Sequence, residues 1–370
     1  MSNITEKTKE RFKSWWEIDL VDRALIQVWA PRKGKEDLWN EQGNEGGVFT
    51  SYKTIKEWKK NKFDYNFLIG KQKEFLSSVY YGGDAFPTFC INLGPGSIAA
   101  DFGCNANFRD ETIWYGPPIL KNYKNIENKY LQEKNVIWGI TQRLTKISSE
   151  NSNNNYFVTA ADLGMNLDII ASLRGAERML FDLLEHPKEV KKLISIVSDI
   201  FINKYDKLYD LVKNRQDFFL GWLPVYSEGK NYPIQCDFSA MISPKMFEEF
   251  IVSDLVKISK HLDKSIYHLD GPDAVRHLDI ILDIKDIDAI QWAPGKGSPS
   301  AVHWIPMLKK IQKKKKALVV YAENPKEVER LLEELEPEGL LISTKANSEE
   351  EADEIVKNVK KLSIRKIRKR

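Results

Sequence analysis

The last third of the chain reads SIYHLD at 265–270, IDAIQW at 287–292, ALVVYA at 317–322 and GLLIST at 339–344. Each run is apolar, and a longer stretch of helical character separates it from the next. Continuous apolar runs of this kind are typical of parallel strands that are covered on both faces. The pattern therefore predicts an α/β fold with a parallel sheet.

The same alternation continues towards the N-terminus. Four more runs predict strands: ALIQVWA (24–30), DAFPTFCIN (84–92), YFVTAA (156–161) and DFFLGW (217–222). Eight strand-then-helix units predict a single (β/α)₈ TIM barrel over residues 1–370, with a long insertion at 31–83 after the first strand that should cover part of the mouth. An open, doubly wound sheet is the competing architecture, because periodicity does not show closure. The residues after the first strand, APRKGK, lack the G-x-G-x-x-G dinucleotide fingerprint.

Helices are predicted at 176–184, 190–211, 244–261, 324–335 and 348–362. Ser243-Pro244 and Asn324-Pro325 each place a capping side chain before a proline, which favours a helix that begins there. The segment from Ser348 opens with three glutamates and ends with two lysines, a distribution that matches the helix dipole.

The composition excludes several classes of protein. The chain has 56 Lys and Arg residues and 53 Asp and Glu residues. The resulting net charge of +3 is too small for a protein that coats nucleic acid. The chain has an odd number of cysteines, Cys90, Cys104 and Cys236, and their spacing is not that of a disulfide framework. No signal segment opens the chain, and no run approaches the roughly 18 apolar residues of a spanning helix. We expect a cytoplasmic protein with neither nucleic-acid nor membrane partners.

The functional residues of a (β/α)₈ barrel lie where the strands end. Three tryptophans fall at these ends and favour a large, partly apolar ligand, while Arg32 favours a carboxylate or phosphate group on it. The competing interpretation is that the tryptophans only cap the barrel core. The candidate substrate-binding residues are Trp29, Arg32, Asn92, Trp222, Trp292 and Tyr321.

His268-Leu269-Asp270-Gly271 is the most informative short motif. Residues two apart on a strand face the same way, so the imidazole and the carboxylate converge on one point. That arrangement suits a metal site or a proton-transfer pair. A histidine held by a carboxylate for purely structural reasons is the alternative.

Five segments together resemble the uroporphyrinogen decarboxylase superfamily. They are VDRA (21–24), GGDAFPTFCINLGPGSIAADFG (82–103), DLGMNLDIIASLRGAERMLFDLLEHPKEVKKL (162–193), ISPKMFEEF (242–250) and YHLDG (267–271). Their order along nearly the whole chain carries the resemblance, since no single motif decides it. The resemblance implies one (β/α)₈ barrel with its site at the C-terminal mouth.

The resemblance is closer to one branch of that superfamily. True decarboxylases have an arginine-rich loop after the first strand and an aspartate after the second, whereas this chain has APRKGK and Asn92 there. The other branch comprises corrinoid-linked methyltransferases, whose His-x-Cys motif and later cysteine bind a zinc ion that activates a thiol. His268 matches the histidine, Asp270 stands in place of the first cysteine, and Ser343 or Thr344 falls at the second.

Zinc accepts histidine and aspartate ligands, and Glu323 or Cys236 is the candidate third ligand beside His268 and Asp270. The candidate catalytic residues are His268, Asp270 and Asp237. The resemblance implies a methyltransferase that acts with a corrinoid protein or a methylated small molecule, with zinc as cofactor and a homodimer as one expected assembly. The alternative is a decarboxylase of uroporphyrinogen or a related tetrapyrrole, and a third option is a non-catalytic ligand-binding barrel.

Overall fold

The computed structural model describes residues 4–41, 60, 64–91, 93–108, 113–123 and 136–368. The strands in these ranges are Leu25–Pro31 (β1), Val79–Gly83 (β2), Thr88–Cys90 (β3), Ala106–Phe108 (β4), Ile113–Tyr115 (β5), Phe157–Thr159 (β6), Phe218–Phe219 (β7), Gly229–Ile234 (β8), Lys264–Asp270 (β9), Ala289–Ala293 (β10), Ala317–Ala322 (β11) and Leu340–Lys345 (β12). The α-helices there are Glu6–Trp16 (α1), Glu36–Glu41 (α2), Tyr65–Ser78 (α3), Val136–Glu150 (α4), Asn166–Arg174 (α5), Ala176–Glu185 (α6), Pro187–Val212 (α7), Pro244–Phe250 (α8), Val252–His261 (α9), Leu278–Asp283 (α10), Ile305–Lys313 (α11), Pro325–Glu334 (α12) and Glu349–Ile367 (α13). Strands and helices alternate along the chain, so the fold is of the α/β class.

The principal sheet has eight strands in the order β2-β1-β12-β11-β10-β9-β8-β7. Its neighbouring strands are parallel, except that β2 runs antiparallel to β1. β3 and β6 form a separate parallel pair, and a bridge between Thr159 and Leu220 links that pair to the end of β7. Between β1 and β3 the described residues form no ladder, so backbone pairing does not close the sheet into a barrel.

Each of the eight predicted runs overlaps a strand, whereas β2, β4, β5 and β8 were not predicted. Of these four, β8 lies between two predicted strands of the principal sheet. Its sequence, GKNYPI, contains Gly, Lys, Asn and Pro, which are residues that strands usually avoid. Tertiary packing overrides this preference, because Tyr232 and Ile234 are fully buried. Gly221 allows β8 to approach, since a Cβ atom there would lie 2.1 Å from Cδ of Pro233.

The predicted helix starts are confirmed by their capping hydrogen bonds. The side chains of Ser243, Asn324 and Ser348 accept the backbone N–H groups of the residues three positions on, at 3.3, 3.1 and 3.2 Å. These bonds satisfy donors that the first turn of a helix leaves unpaired. The predicted helix at 244–261 is, however, interrupted at Ile251 and forms α8 and α9.

The strands alternate between two buried faces. One face carries Leu25, Ile266, Ala289, Ala317 and Leu341 in a compact cluster, while the residues next to them in sequence pack in the larger core beneath the helices. Because strand side chains alternate with a period of two, His268 and Asp270 share the face of Ile266. The candidate site therefore lies on the inner face of the sheet, at the carboxyl ends of its strands.

Residues 223–228, between β7 and β8, pack against that inner face. Val225 and Tyr226 are buried in the same cluster as Leu25 and Ile266. Side chains from the surrounding elements satisfy their backbone: Gln27, Asn231 and Trp16 donate to the carbonyl oxygens of Pro224, Val225 and Tyr226, at 2.6, 2.9 and 2.9 Å. A buried irregular segment needs such partners, because unpaired carbonyl groups are costly.

The described part of the insertion consists of α2, α3 and β2. The expected lid also depends on residues 42–59 and 61–63, which lie outside the described ranges. Helix α2 borders a cavity of about 390 Å³ at the carboxyl ends of β1, β11 and β12, lined in part by Glu36, Trp39 and Lys345.

No helix within the described ranges is both long and apolar enough to cross a membrane.

Candidate metal centre at the strand ends

Asp237, His268 and Asp270 form a compact cluster of potential metal ligands. One ligand atom from each residue lies within 4.8 Å of the other two. His268 and Asp270 lie at the carboxyl end of β9. Asp237 begins the short 3₁₀ helix that follows β8, the strand next to β9. The structure thus brings together the three residues that the sequence indicated as catalytic.

Gln291 fixes the orientation of the His268 ring. The two residues are paired across β9 and β10, and Nδ1 of His268 lies 2.6 Å from Oε1 of Gln291. The indole ring of Trp222 packs edge-on against the imidazole, with ring centroids 5.0 Å apart. Because Nδ1 is engaged, Nε2 is the nitrogen that His268 can offer to a ligand.

Asp168, in the first turn of α5, holds the backbone of the Asp237 loop. Its two carboxylate oxygens accept the N–H groups of Asp237 and Phe238, at 3.0 and 2.7 Å. Burial, followed by the nearby negative charge of Asp237, raises the pKa of Asp168 well above its usual range. Asp168 therefore holds the backbone that carries Asp237.

Asp237, in the cluster, and Asp162, outside it, also have raised pKa values. Burial raises the pKa of Asp237, with Asp270 adding to the effect and His268 opposing it. Burial also raises the pKa of Asp162 to about 6, and the charge of Asp237 contributes to that shift. One carboxylate oxygen of Asp162 accepts the Gly164 N–H at 2.9 Å. Several acidic groups that repel one another in a confined space are typical of functional sites, and a bound cation would relieve the repulsion.

The donor set fits a divalent metal ion. Imidazole nitrogen and carboxylate oxygens are accepted ligands of zinc and of other first-row divalent ions. Cys236 does not contribute a sulfur ligand to the cluster; it is buried, and burial, followed by the charges of Asp168 and Asp237, raises the pKa of its thiol well above the usual range. Thr344 and Ser343 instead bond to Ala322 O at 2.8 Å and to Gln27 Oε1 at 3.2 Å.

Glu323 lies outside the cluster. It borders the cavity of about 390 Å³ beside α2, together with Lys345 and Asn347. Glu323 follows β11, which is separated from β9 by the whole of β10, and neighbouring strands lie about 4.8 Å apart. Asp237 therefore occupies the third position of the cluster.

The remaining candidate substrate-binding residues are dispersed. Trp222 contacts His268, and Tyr321 is 42% exposed on the inner face of β11. Trp29 is 9% exposed beside Lys345, and Arg32 donates to Val79 O at 3.3 Å. Asn92 lies outside the described residues.

Trp292 lies on the other face of β10 from Gln291. It is 1% exposed and packs against Trp304, with ring centroids 4.9 Å apart, in the core beneath the helices. Strand alternation alone places it there, because Gln291 faces the site. The structure does not bring it to the cluster.

Sequence analysis did not identify Gln291 or Asp168 as parts of the site. Gln291 could have been found, because it faces the same way as His268 once β9 and β10 are aligned. Asp168 gives no such signal, since an acidic residue in the first turn of a helix is ordinary.

A second group of potential ligands, Asp182, Glu185 and His186, lies on α6 and at its end. Arginine side chains already neutralise it: Arg174 and Arg178 bond to Asp182 at 2.5 and 3.0 Å, and Arg178 also bonds to Glu185. These pairs favour a structural role over a metal site.

No family model matches the sequence, and no curated protein matches it. Among solved structures, a methyltransferase from Methanosarcina mazei superimposes on this chain with a TM-score of 0.59 and 13% sequence identity. The alignment covers 96% of this chain and 98% of that protein. The two proteins share a fold over almost their whole length, and membership of the uroporphyrinogen decarboxylase superfamily stays a prediction from sequence.

Proposed function

We propose that this chain is a metal-dependent methyltransferase built on a (β/α)₈ barrel, in which Asp237, His268 and Asp270 bind a divalent ion, zinc being the first candidate. The observation that carries the proposal is the convergence of these three side chains at the strand ends of a fold that a methyltransferase also has. Barrels place their catalytic residues at this end.

The strand order supports the barrel. Parallel pairing runs from β3 through β6 and the Thr159–Leu220 bridge to β7, and on through β8 to β12 and β1. The Asp84 N–H donates to Ile26 O at 2.7 Å, which extends the pairing of β2 with β1 by one step. Closure of the barrel between β1 and β3 is therefore part of the proposal.

The residues of the site have separable roles in this proposal. Gln291 orients the His268 ring, and Asp168 positions Asp237. A bound zinc ion would supply the positive charge that lowers the pKa of an acceptor thiol. Asp162, a carboxyl group that interacts electrostatically with Asp237 and His268, would take the proton that the acceptor loses.

The methyl donor we propose is a corrinoid carried by a partner protein, or a methylated small molecule, as the sequence resemblance implies. Trp222 and Tyr321 offer aromatic surface at the mouth for a large ligand. A decarboxylase of a polycarboxylated tetrapyrrole is less well supported, because the loop after β1, APRKGK, lacks the spaced arginines of those enzymes and Asn92 stands in place of their aspartate.

Metal analysis combined with a methyl-transfer assay tests the proposal. The purified protein is expected to hold about one metal ion per chain and to demethylate methylcobalamin in the presence of a thiol, which is followed by the change in the corrinoid spectrum. His268→Ala should remove both the metal and the activity while the melting temperature changes little, because a strand-end side chain packs little core. Asp270→Cys should strengthen zinc binding, because thiolate is the better zinc ligand.

Three results would count against the proposal in different ways. A metal-free protein that decarboxylates a porphyrinogen would favour the decarboxylase. A metal-free protein without activity would favour a ligand-binding barrel. Unchanged metal content in His268→Ala would place the metal elsewhere.

A further inference from the structure

A groove of about 810 Å³ lies at the opposite end of the sheet from the candidate metal centre. It runs between α1 and the starts of β8 and β9, and the buried rings of Trp16 and Tyr226 form part of its wall. Its volume is in the range of sites that bind small molecules. None of its lining residues takes part in the methyl-transfer proposal.

The groove carries an excess of negative charge. Two of its lysines are paired, Lys9 with Glu6 at 3.1 Å and Lys264 with Asp288 at 2.9 Å. The lining side chains that remain after these pairs are five carboxylates and one ammonium group: Glu10, Glu17, Asp217, Glu228, Asp263 and Lys13. A groove lined by one sign of charge attracts ligands of the other sign.

The aromatic wall already interacts with ammonium groups. Nζ of Lys9 lies 5.9 Å from the ring centroid of Tyr226, and Nζ of Lys264 lies 5.5 Å from that of Trp16. Burial raises the pKa of Tyr226 to about 12, and the charges of Asp217 and Glu228 add to the shift. Both observations describe an environment that favours cations.

The carboxylates of the groove are too dispersed for a metal ion. Across the described parts of the chain, the groups of three ligands that converge within 4.8 Å all lie elsewhere. An extended cation with several separated charges suits such a lining better than a point charge does. Ser227, which also lines the groove, is 4% exposed, and its hydroxyl has no hydrogen-bond partner within the described structure.

We propose that this groove binds a linear polyamine, with ammonium groups beside Asp217 and Glu228 and an N–H group that donates to the Ser227 hydroxyl. The site is separate from the metal centre, so the proposal does not depend on the methyltransferase activity. A bound polyamine would link α1 to the starts of β8 and β9 and so stabilise the folded chain.

Calorimetric titration of the full-length protein with spermidine tests the proposal. We expect one binding site per chain and an affinity that falls with salt. The double variant Asp217→Asn/Glu228→Gln should bind spermidine at least about ten-fold more weakly, because two attractive charges are lost. Ser227→Ala, which changes no charge, should weaken binding by about three-fold or more.

The matched control is Glu329→Gln/Glu354→Gln, which removes two exposed carboxylates from helices α12 and α13. It should bind spermidine within about two-fold of the unmodified protein. Equal weakening in both double variants, or displacement of spermidine by Mg²⁺ at equal ionic strength, would mean general charge attraction and overturn the proposal. Tighter binding of pentalysine than of spermidine would also overturn it, in favour of a basic peptide.

Discussion

Oε1 of Gln291 lies 2.6 Å from Nδ1 of His268, so one amide decides which imidazole nitrogen carries the proton. An amide oxygen accepts hydrogen bonds and never donates them, so Nδ1 must hold the hydrogen. The lone pair of a neutral imidazole is then on Nε2, the nitrogen left to face Asp237 and Asp270. Gln291 thereby selects the tautomer that metal binding requires.

Gln291→Ala is expected to lower metal affinity by about 10- to 100-fold, because the tautomer and the ring orientation are no longer fixed. Gln291→Glu keeps an acceptor at the same position and should restore most of the affinity. Competition with a chromophoric chelator measures the change. Gln312→Ala on α11 is the control and should leave affinity unchanged. Equal affinities for Gln291→Ala and the unmodified protein would remove Gln291 from the metal site.

The site could be predicted from sequence only where its residues lie close together along the chain. His268 and Asp270 stand two positions apart on one strand, so strand geometry alone indicates that they converge. The association of Asp237 with them, and the exclusion of Glu323, depend on how β8, β9 and β11 lie side by side. That order is set by packing between distant segments, which periodicity does not encode.

Prediction of the strands from sequence had a similar limit. The apolar runs predicted all eight of their strands, because burial on both faces leaves a strong signal. The signal is absent in β8, since GKNYPI is polar for half its length and only its last residues are buried. Trp292 shows the converse error: its position at a strand end suggested the mouth, whereas the alternation of side chains turns it into the core.

Metal content separates Asp237 from Glu323. Asp237→Ala should lower the bound metal substantially, because it removes one of the three converging ligands. Glu323→Ala should leave metal content unchanged, since its carboxylate lies beside a different cavity. Elemental analysis of the two purified variants is the measurement. The reverse result would restore Glu323 as a ligand and exclude Asp237.

The buried carboxylate of Asp84 is expected to be a major source of stability. It is fully buried and accepts hydrogen bonds from Arg11, Arg23 and the Ile26 N–H, at 3.0, 2.5 and 3.1 Å. Asp84→Ala leaves the buried Arg23 guanidinium without its carboxylate partner and should cost about 3–5 kcal/mol of unfolding free energy.

Urea denaturation measures the effect of Asp84→Ala. Asp279→Asn breaks an exposed ion pair with Lys310 and should cost at most about 1 kcal/mol. A loss in Asp84→Ala as small as that of the control would show that the buried network contributes little.

Asp254 is expected to make the stability of the contact between α7 and α9 depend on pH. It is buried between α7 and α9, where Ser198 Oγ contacts both Asp254 Oδ1 and Ile194 O. Ser198 Oγ is the donor in both contacts, and its hydrogen bond to Asp254 favours the ionised carboxylate. Burial outweighs this effect and raises the pKa of Asp254 to about 6, against the opposing effects of Ser198, Asn166 and Lys257.

A carboxyl group whose pKa is raised in the folded state binds its proton more tightly there than in the unfolded chain. Its contribution to stability is therefore fully present below the ordinary aspartate pKa of about 4, and is lost as the pH rises to about 6. Asp254→Asn mimics the protonated form, so at pH 7.5 it should raise the unfolding free energy by about 1–3 kcal/mol. At pH 4 the same substitution should change it by less than about 0.5 kcal/mol. Asp273→Asn, an exposed position, should show no such dependence on pH. If urea denaturation at the two pH values gives the same effect for Asp254→Asn, Asp254 does not hold a proton in the folded protein.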